Sequence, residues 1–172
     1  MAELKNEHCP FCGNKTLILR EDEQDIPYFG RCYIMSMSCS SCKYHKADVE
    51  AVEKKDPVKL TFTVKEKKDL NVRVVKSSEA AIKLPQLRLS VTPGLASIGY
   101  ITNIEGVIAR FKSIIEDQRD NAEDDSEKKS AKSLLKKLWK VELGEMELKI
   151  VIEDPSGNSA IISDKTEIQK LK

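Results

Sequence analysis

The chain has 172 residues, and 33% of them are charged, with 29 Lys and Arg against 28 Asp and Glu. This length accommodates one or two domains, and the near-neutral balance argues against a protein that mainly grips the phosphate backbone of nucleic acids. No window approaches the roughly 18 apolar residues of a membrane span, and the N-terminus lacks the apolar region of a signal peptide. We therefore expect a cytoplasmic protein.

Four of the five cysteines form two CxxC pairs near the N-terminus. Two intervening residues let a tight turn aim both sulfurs at one ion, and a second pair completes a tetrahedron. The spacing therefore predicts one zinc ion bound by four thiolates, from Cys9, Cys12, Cys39 and Cys42. In a chain without a signal peptide, the pattern also favours a reducing compartment over disulfides. Four protein ligands leave no position for water or substrate, so the zinc is predicted to be structural.

Three other residues near the pairs could be mistaken for zinc ligands. Cys32 is predicted to be a strand residue, and His8 and His45 are predicted to be exposed polar neighbours. No histidine follows His45, which argues against a cupin-like enzyme that would hold a catalytic metal in its β-domain. The phosphate-binding and nucleophile-elbow motifs are also missing from the sequence, so we predict no catalytic residue.

Residues 1–52 are predicted to form a zinc ribbon, with short strands at residues 16–19 and 31–38. The loop between them carries four apolar residues: Ile26, Pro27, Tyr28 and Phe29. These side chains either cap the small zinc core or form an exposed patch that binds a partner, and we take them as the candidate partner contact. An alternative hypothesis is a ribbon that binds RNA or the ribosome through this aromatic pair with Arg20, Arg31 and Lys43.

Residues 53–172 are predicted to form a β-domain, and its strands begin after a hinge at residues 54–57. Alternating runs predict strands at residues 59–64, 70–75, 80–84, 87–91, 146–152 and 159–162. Between them, apolar residues recur every three or four positions and predict a helical hairpin over about residues 102–143. Thr102 and Glu105 suggest a capping box at its start, and Gly144 suggests its end. The fold class is mostly β with an inserted α-hairpin.

Several segments together resemble the ZPR-type zinc-finger family. They are CPFCG (9–13), IPYFG (26–30), IMSMSCSSC (34–42), DLNVRVVKSSEAAIKLPQL (69–87), ITNIEGVI (101–108) and EDPSGNS (153–159). They span most of the chain in the family's order. The chain departs from the family's pattern in two places. Lys43 follows the last cysteine, where the family usually has glycine, and the segment of residues 94–100 matches only loosely.

The resemblance implies a four-cysteine zinc ribbon followed by a domain similar to a double-stranded β-helix with a helical hairpin. Eukaryotic members of the family carry this pair of domains twice and bind translation elongation factor 1-alpha. This chain has the pair once, as expected of an archaeal form. The resemblance therefore implies a non-enzymatic protein that binds elongation factor 1-alpha and helps it to fold or assemble.

Overall fold

The computed structural model describes residues 1–26, 30–53, 55–94 and 97–171. Within these ranges, twelve strands form three sheets and two α-helices form a hairpin. The strands are β1 (Ala2–Glu7), β2 (Leu17–Ile26), β3 (Gly30–Cys39), β4 (His45–Ala51), β5 (Val58–Val64), β6 (Arg73–Lys76), β7 (Ala81–Leu84), β8 (Leu89–Val91), β9 (Tyr100–Asn103), β10 (Leu148–Asp154), β11 (Ala160–Ile161) and β12 (Glu167–Lys170). The helices are α1 (Ile104–Asn121) and α2 (Asp125–Glu142).

The first sheet is an antiparallel ribbon with the order β1-β2-β3-β4. Its centre is the long β2–β3 hairpin, in which Leu17 pairs with Cys39 at one end and Ile26 pairs with Gly30 at the other. The predicted strand over residues 16–19 is therefore too short. Both faces of the hairpin are largely open to solvent, so its acidic half lacks the apolar alternation by which a strand is recognised in a sequence.

The remaining strands build a domain of two antiparallel sheets, with the orders β12-β5-β10-β7-β8 and β11-β6-β9. The alternation predicted for β5 is confirmed, because Leu60, Phe62 and Val64 are buried. Ile150 and Ile152 of the neighbouring β10 enter the same core. The predicted fold class, mostly β with an inserted helical hairpin, is therefore confirmed.

The helical hairpin closes this core with one apolar face from each helix. The buried residues are Ile104, Val107, Ile108, Phe111 and Ile115 of α1 and Ala131, Leu138 and Val141 of α2. The predicted capping box is wrong, because the side chain of Asn103 accepts the hydrogen bond from the Gly106 N–H at 2.8 Å. The predicted C-terminal signal is confirmed: Gly144 has φ +77, and its N–H and that of Glu145 bond back to the last turn of α2.

Sequence reasoning missed β1, β4, β9 and β12, and it extended a strand over residues 70–71 that instead lie in a 3₁₀ turn. Strands β1 and β12 lie at sheet edges and are exposed along their length. An exposed edge strand buries no face, so it carries no period-two apolar signal.

An apolar cluster joins the ribbon to the β-domain. Ile26, Cys32 and Val49 of the ribbon pack with Val75 and Ala160 of the β-domain. Part of the predicted hinge is bonded to the β-domain, because the Lys55 N–H donates to the Ser156 carbonyl at 2.9 Å. Residue 54 of the hinge lies outside the described residues. The domain boundary between residues 52 and 53 stays a prediction.

Neither helix is long and apolar enough to cross a membrane, and this holds for the part of the chain that the structure describes.

Candidate metal centre

Each CxxC pair forms a tight turn that ends in a left-handed residue. The N–H of Gly13 donates to the Cys9 carbonyl at 2.8 Å, and that of Lys43 donates to the Cys39 carbonyl at 3.1 Å. Gly13 has φ +75 and Lys43 has φ +62. Lysine therefore adopts at the second turn the conformation that glycine adopts at the first, which explains why glycine would be favoured there.

The two turns bring all four cysteine sulfurs together. The sulfurs of Cys9, Cys12, Cys39 and Cys42 lie within 4.8 Å of one another. The Cys9 and Cys42 sulfurs are 3.7 Å apart, and those of Cys12 and Cys39 are 3.8 Å apart. A tetrahedral ion with Zn–S bonds of about 2.3 Å requires S···S distances of about 3.8 Å. The four cysteines are therefore positioned to bind one metal ion, and the donor set fits zinc.

The sulfurs and their hydrogen bonds change the pKa of two of the four thiols. The hydroxyl of Thr16 donates to the Cys39 sulfur at 3.2 Å and, with backbone N–H groups, lowers the pKa of Cys39 to about 6. A backbone hydrogen bond from Tyr44 favours the Cys42 thiolate, but burial and the three neighbouring sulfurs outweigh it and raise the pKa of Cys42 to about 12. Four thiolates at such distances are stable together only around a positive charge.

A small apolar layer surrounds the cluster. Leu17 is buried, and Leu19, Met37 and Tyr44 pack beside the cysteines. The Phe11 ring stacks on Tyr44 with 6.1 Å between centroids and 6° between planes, yet Phe11 is 79% exposed. Sequence reasoning did not single out Phe11. The available signal was its position as an aromatic residue between two metal-binding cysteines.

The three residues considered as false ligands lie outside the sulfur cluster. His8 Nδ1 is 3.0 Å from the Gly13 carbonyl, and His45 Nδ1 is 3.0 Å from the Ser38 hydroxyl. Both histidines are exposed, as predicted. Cys32 is a strand residue, also as predicted, and it is fully buried in the cluster that joins the two domains.

The structure describes only one of the four residues of the candidate partner loop, Ile26. Pro27, Tyr28 and Phe29 lie outside the described residues, so their role stays a prediction. Ile26 is 9% exposed and packs against the β-domain rather than the zinc-side apolar layer. Ile26 and Leu17 lie at opposite ends of β2, and Leu17 is the one beside the cysteines. Nine residues at about 3.3 Å each place the two about 30 Å apart. The interpretation that Ile26 caps the zinc core is therefore wrong.

Two of the three cations considered for RNA binding have acidic partners. Arg20 Nε lies 3.1 Å from Glu3, and an Arg31 nitrogen lies 3.3 Å from Glu23. Lys43 is exposed. Pairing reduces the positive charge that a phosphate backbone would meet on the ribbon, which counts against the RNA hypothesis.

Comparison with known proteins identifies both domains. Residues 3–56 match the ZPR1 zinc-finger domain, and residues 68–172 match the ZPR1 jelly-roll domain. The chain is 34% identical to a ZPR1-like protein of Methanocaldococcus jannaschii, a match that covers 100% of this chain and 91% of that protein. It is 36% identical to a ZPR1-like protein of Pyrococcus horikoshii, over 99% of this chain and 78% of that protein. Both matches therefore run through the two domains of this chain.

Eukaryotic relatives are similar over a smaller share of their length. The zinc finger chaperone zpr1 of Schizosaccharomyces pombe is 34% identical in a match that covers 79% of this chain and 30% of the yeast protein. The human zinc finger protein ZPR1 is 27% identical in a match that covers 88% of this chain and 33% of the human protein. With both family domains matched and relatives aligned along its whole length, the chain belongs to the ZPR1 family.

Proposed function

We propose that this protein is a non-enzymatic chaperone in the cytoplasm that binds elongation factor 1-alpha through a surface held in shape by zinc. The metal centre carries the proposal. Cys9, Cys12, Cys39 and Cys42 would occupy all four positions of a tetrahedral zinc ion, and a saturated ion offers substrate no place to bind. The yeast relative is named a zinc finger chaperone. The resemblance to the ZPR-type family supports the choice of client.

The exposed aromatic side chain at the zinc centre is the best contact that the described residues offer. Phe11 lies between Cys9 and Cys12 in the first CxxC turn, and its ring stacks on Tyr44. Rigid aromatic side chains are enriched among the residues that dominate binding energy, because little entropy is lost when a partner covers them. On this proposal, zinc fixes the position of Phe11, and Phe11 inserts into the client. Tyr28 and Phe29 remain proposed contacts.

A chaperone of this kind must prefer one state of its client. Binding shifts a conformational equilibrium only by the difference in affinity for the two states. We therefore expect the elongation factor to bind with different affinities when it is nucleotide-free, diphosphate-bound, triphosphate-bound or refolding from denaturant.

Calorimetric titration of the full chain with the elongation factor 1-alpha of the same organism, in each of these states, tests the proposal. We expect Phe11→Ala to weaken binding by about tenfold or more while the chain keeps one zinc. Ile168→Ala is the matched control, because Ile168 is 70% exposed on β12 of the other domain. Failure to bind in every state, including during refolding, would overturn the proposal.

A further inference from the structure

A cavity of about 400 Å³ lies between α1 and the sheets of the jelly-roll domain. Its apolar walls come from Ile82, Ile98, Val107, Phe111 and Ile114. Val107 and Phe111 are part of the buried core, whereas Ile114 is 42% exposed at the rim. The cavity thus has an apolar floor and an opening to solvent, and its volume is within the range of small-ligand sites.

Two cations line the same cavity and converge on one aromatic ring. The Lys76 ammonium is 5.6 Å from the centroid of the Tyr100 ring, and the Arg110 guanidinium carbon is 4.1 Å from it. Like charges on one ring repel each other, and this repulsion falls when an anion binds between or beside them. Lys76 is only 4% exposed, so water screens it poorly.

Neither cation is neutralised within the described part of the chain. No carboxylate there lies within 4.0 Å of the Lys76 ammonium or the Arg110 guanidinium. The Lys76 ammonium donates one hydrogen bond, to the Ser77 carbonyl at 2.9 Å. Burial and the neighbouring Arg110 lower the pKa of Lys76 below its usual value, and the more distant Asp154 and Asp48 offset this only in part. The carboxylate of Asp154 already accepts bonds from Ser156 and Ser159.

Within the described residues, the Lys76 ammonium uses one of its three N–H donors, and a buried ammonium with unused donors is costly unless a partner accepts from them. We propose that this cavity binds a carboxylate next to an apolar side chain, in an acidic segment of the client protein. The carboxylate would meet Lys76 and Arg110, and the neighbouring apolar side chain would lie against Val107 and Phe111. This inference rests on the proposed function, in which a protein is the client.

The shape of the cavity favours a protein segment over a free small molecule. Small-molecule sites bury most of their ligand. Here Arg110, Ser113 and Ile114 are exposed along the rim of the cavity, which leaves one side of any occupant in solvent. A group that projects from a larger surface can enter such a cavity without being enclosed. The apolar walls make a bare phosphate a poor fit.

The test is an NMR titration of the full, zinc-loaded chain with acetyl-Leu-Glu-amide and with acetyl-Leu-Gln-amide. We expect the Glu peptide to bind about tenfold more tightly, because its carboxylate completes hydrogen bonds to two cations. Shifts should concentrate at the amides of Tyr100 and Ile114. Arg110→Glu should abolish the preference for Glu, and Lys129→Glu, the same charge change at an exposed position of α2, should not.

Ser113→Trp supplies a second variant that does not depend on charge. Ser113 is exposed at the rim, so the indole should block the cavity without disturbing the core. Equal binding of the two peptides, unchanged binding by Ser113→Trp, or no shift with millimolar peptide would each overturn the inference. If the peptide binds but the elongation factor does not, the cavity assignment stands and the proposed client is wrong. If the factor binds Ser113→Trp as tightly as wild type, the chaperone proposal stands and the cavity is not part of it.

Discussion

Gly99 lies against Val49 so closely that a β-carbon at position 99 would come within 2.1 Å of the Val49 carbonyl oxygen. The adjacent Asp48 carboxylate accepts a hydrogen bond of 2.6 Å from the Gly99 N–H. Val49 belongs to β4 of the zinc ribbon, and Gly99 directly precedes β9 of the jelly roll. The absence of a side chain at position 99 is what lets the two domains approach at this point.

Gly99→Ala should therefore separate the ribbon from the jelly roll. The clash is with backbone, which cannot move aside as a side-chain end can, so we expect a loss of about 1–3 kcal/mol in the free energy of unfolding. Gly94→Ala is the matched control, because a β-carbon there meets no atom of the described residues within 4 Å. Chemical denaturation of both variants measures the difference. Equal stability of the two variants would show that the domains do not depend on this contact.

Cys39→Ser should remove the metal and unfold the ribbon while the jelly roll keeps its structure. The main hydrophobic core contains no cysteine and no residue of β1–β4, so it does not depend on zinc directly. Hydrogen exchange should show lost protection in β2 and β3 and retained protection in β10. Cys32→Ser is the control: it makes the same change outside the sulfur cluster and should keep one zinc per chain.

Asp154 should stabilise the fold in its ionised form. Burial alone would raise the pKa of Asp154, but hydrogen bonds from Ser159 and Ser156 outweigh it, so the pKa lies below its usual value. A carboxyl whose pKa is lower in the folded state contributes stability above its unfolded pKa of about 4, and that contribution is lost as the pH falls through the folded value.

Asp154→Asn should therefore cost about 2–4 kcal/mol at pH 7, since an amide cannot accept the bonds that both carboxylate oxygens now accept. The cost should shrink below pH 4. Asp164→Asn, at an exposed position, should change the free energy of unfolding little at either pH. Urea unfolding at pH 7 and pH 3 measures both variants, and an Asp154→Asn cost that does not depend on pH would contradict the assignment.

Asn103→Ala should destabilise α1 by about 1 kcal/mol, because the first turn loses the side-chain acceptor for the Gly106 N–H. Thr102→Ala tests the alternative cap that the sequence suggested, and it should cost less. Thermal melting ranks the two. A larger loss for Thr102→Ala would favour the capping box after all.

The sequence predicted best where a pattern is local and repeated. The CxxC spacing predicted which sulfurs would meet, because two residues between thiols restrict the turn wherever the chain lies. The helical hairpin was also predictable, since its apolar face recurs over several turns. The exposed strands β1 and β12 were not, because their pairing depends on a neighbour distant in the chain.

By itself, the sequence determined the four-cysteine centre, the mostly β architecture and the inserted hairpin, all of which depend on short-range spacing and periodicity. Tertiary structure decided the rest. Only packing against Val75 and Ala160 turned Ile26 from a candidate surface residue into part of the joint between the domains. Only folding brought Lys76 and Arg110, which are 34 positions apart in the sequence, to one aromatic ring. Contacts between distant segments follow from how sheets and helices pack, and no local pattern records them.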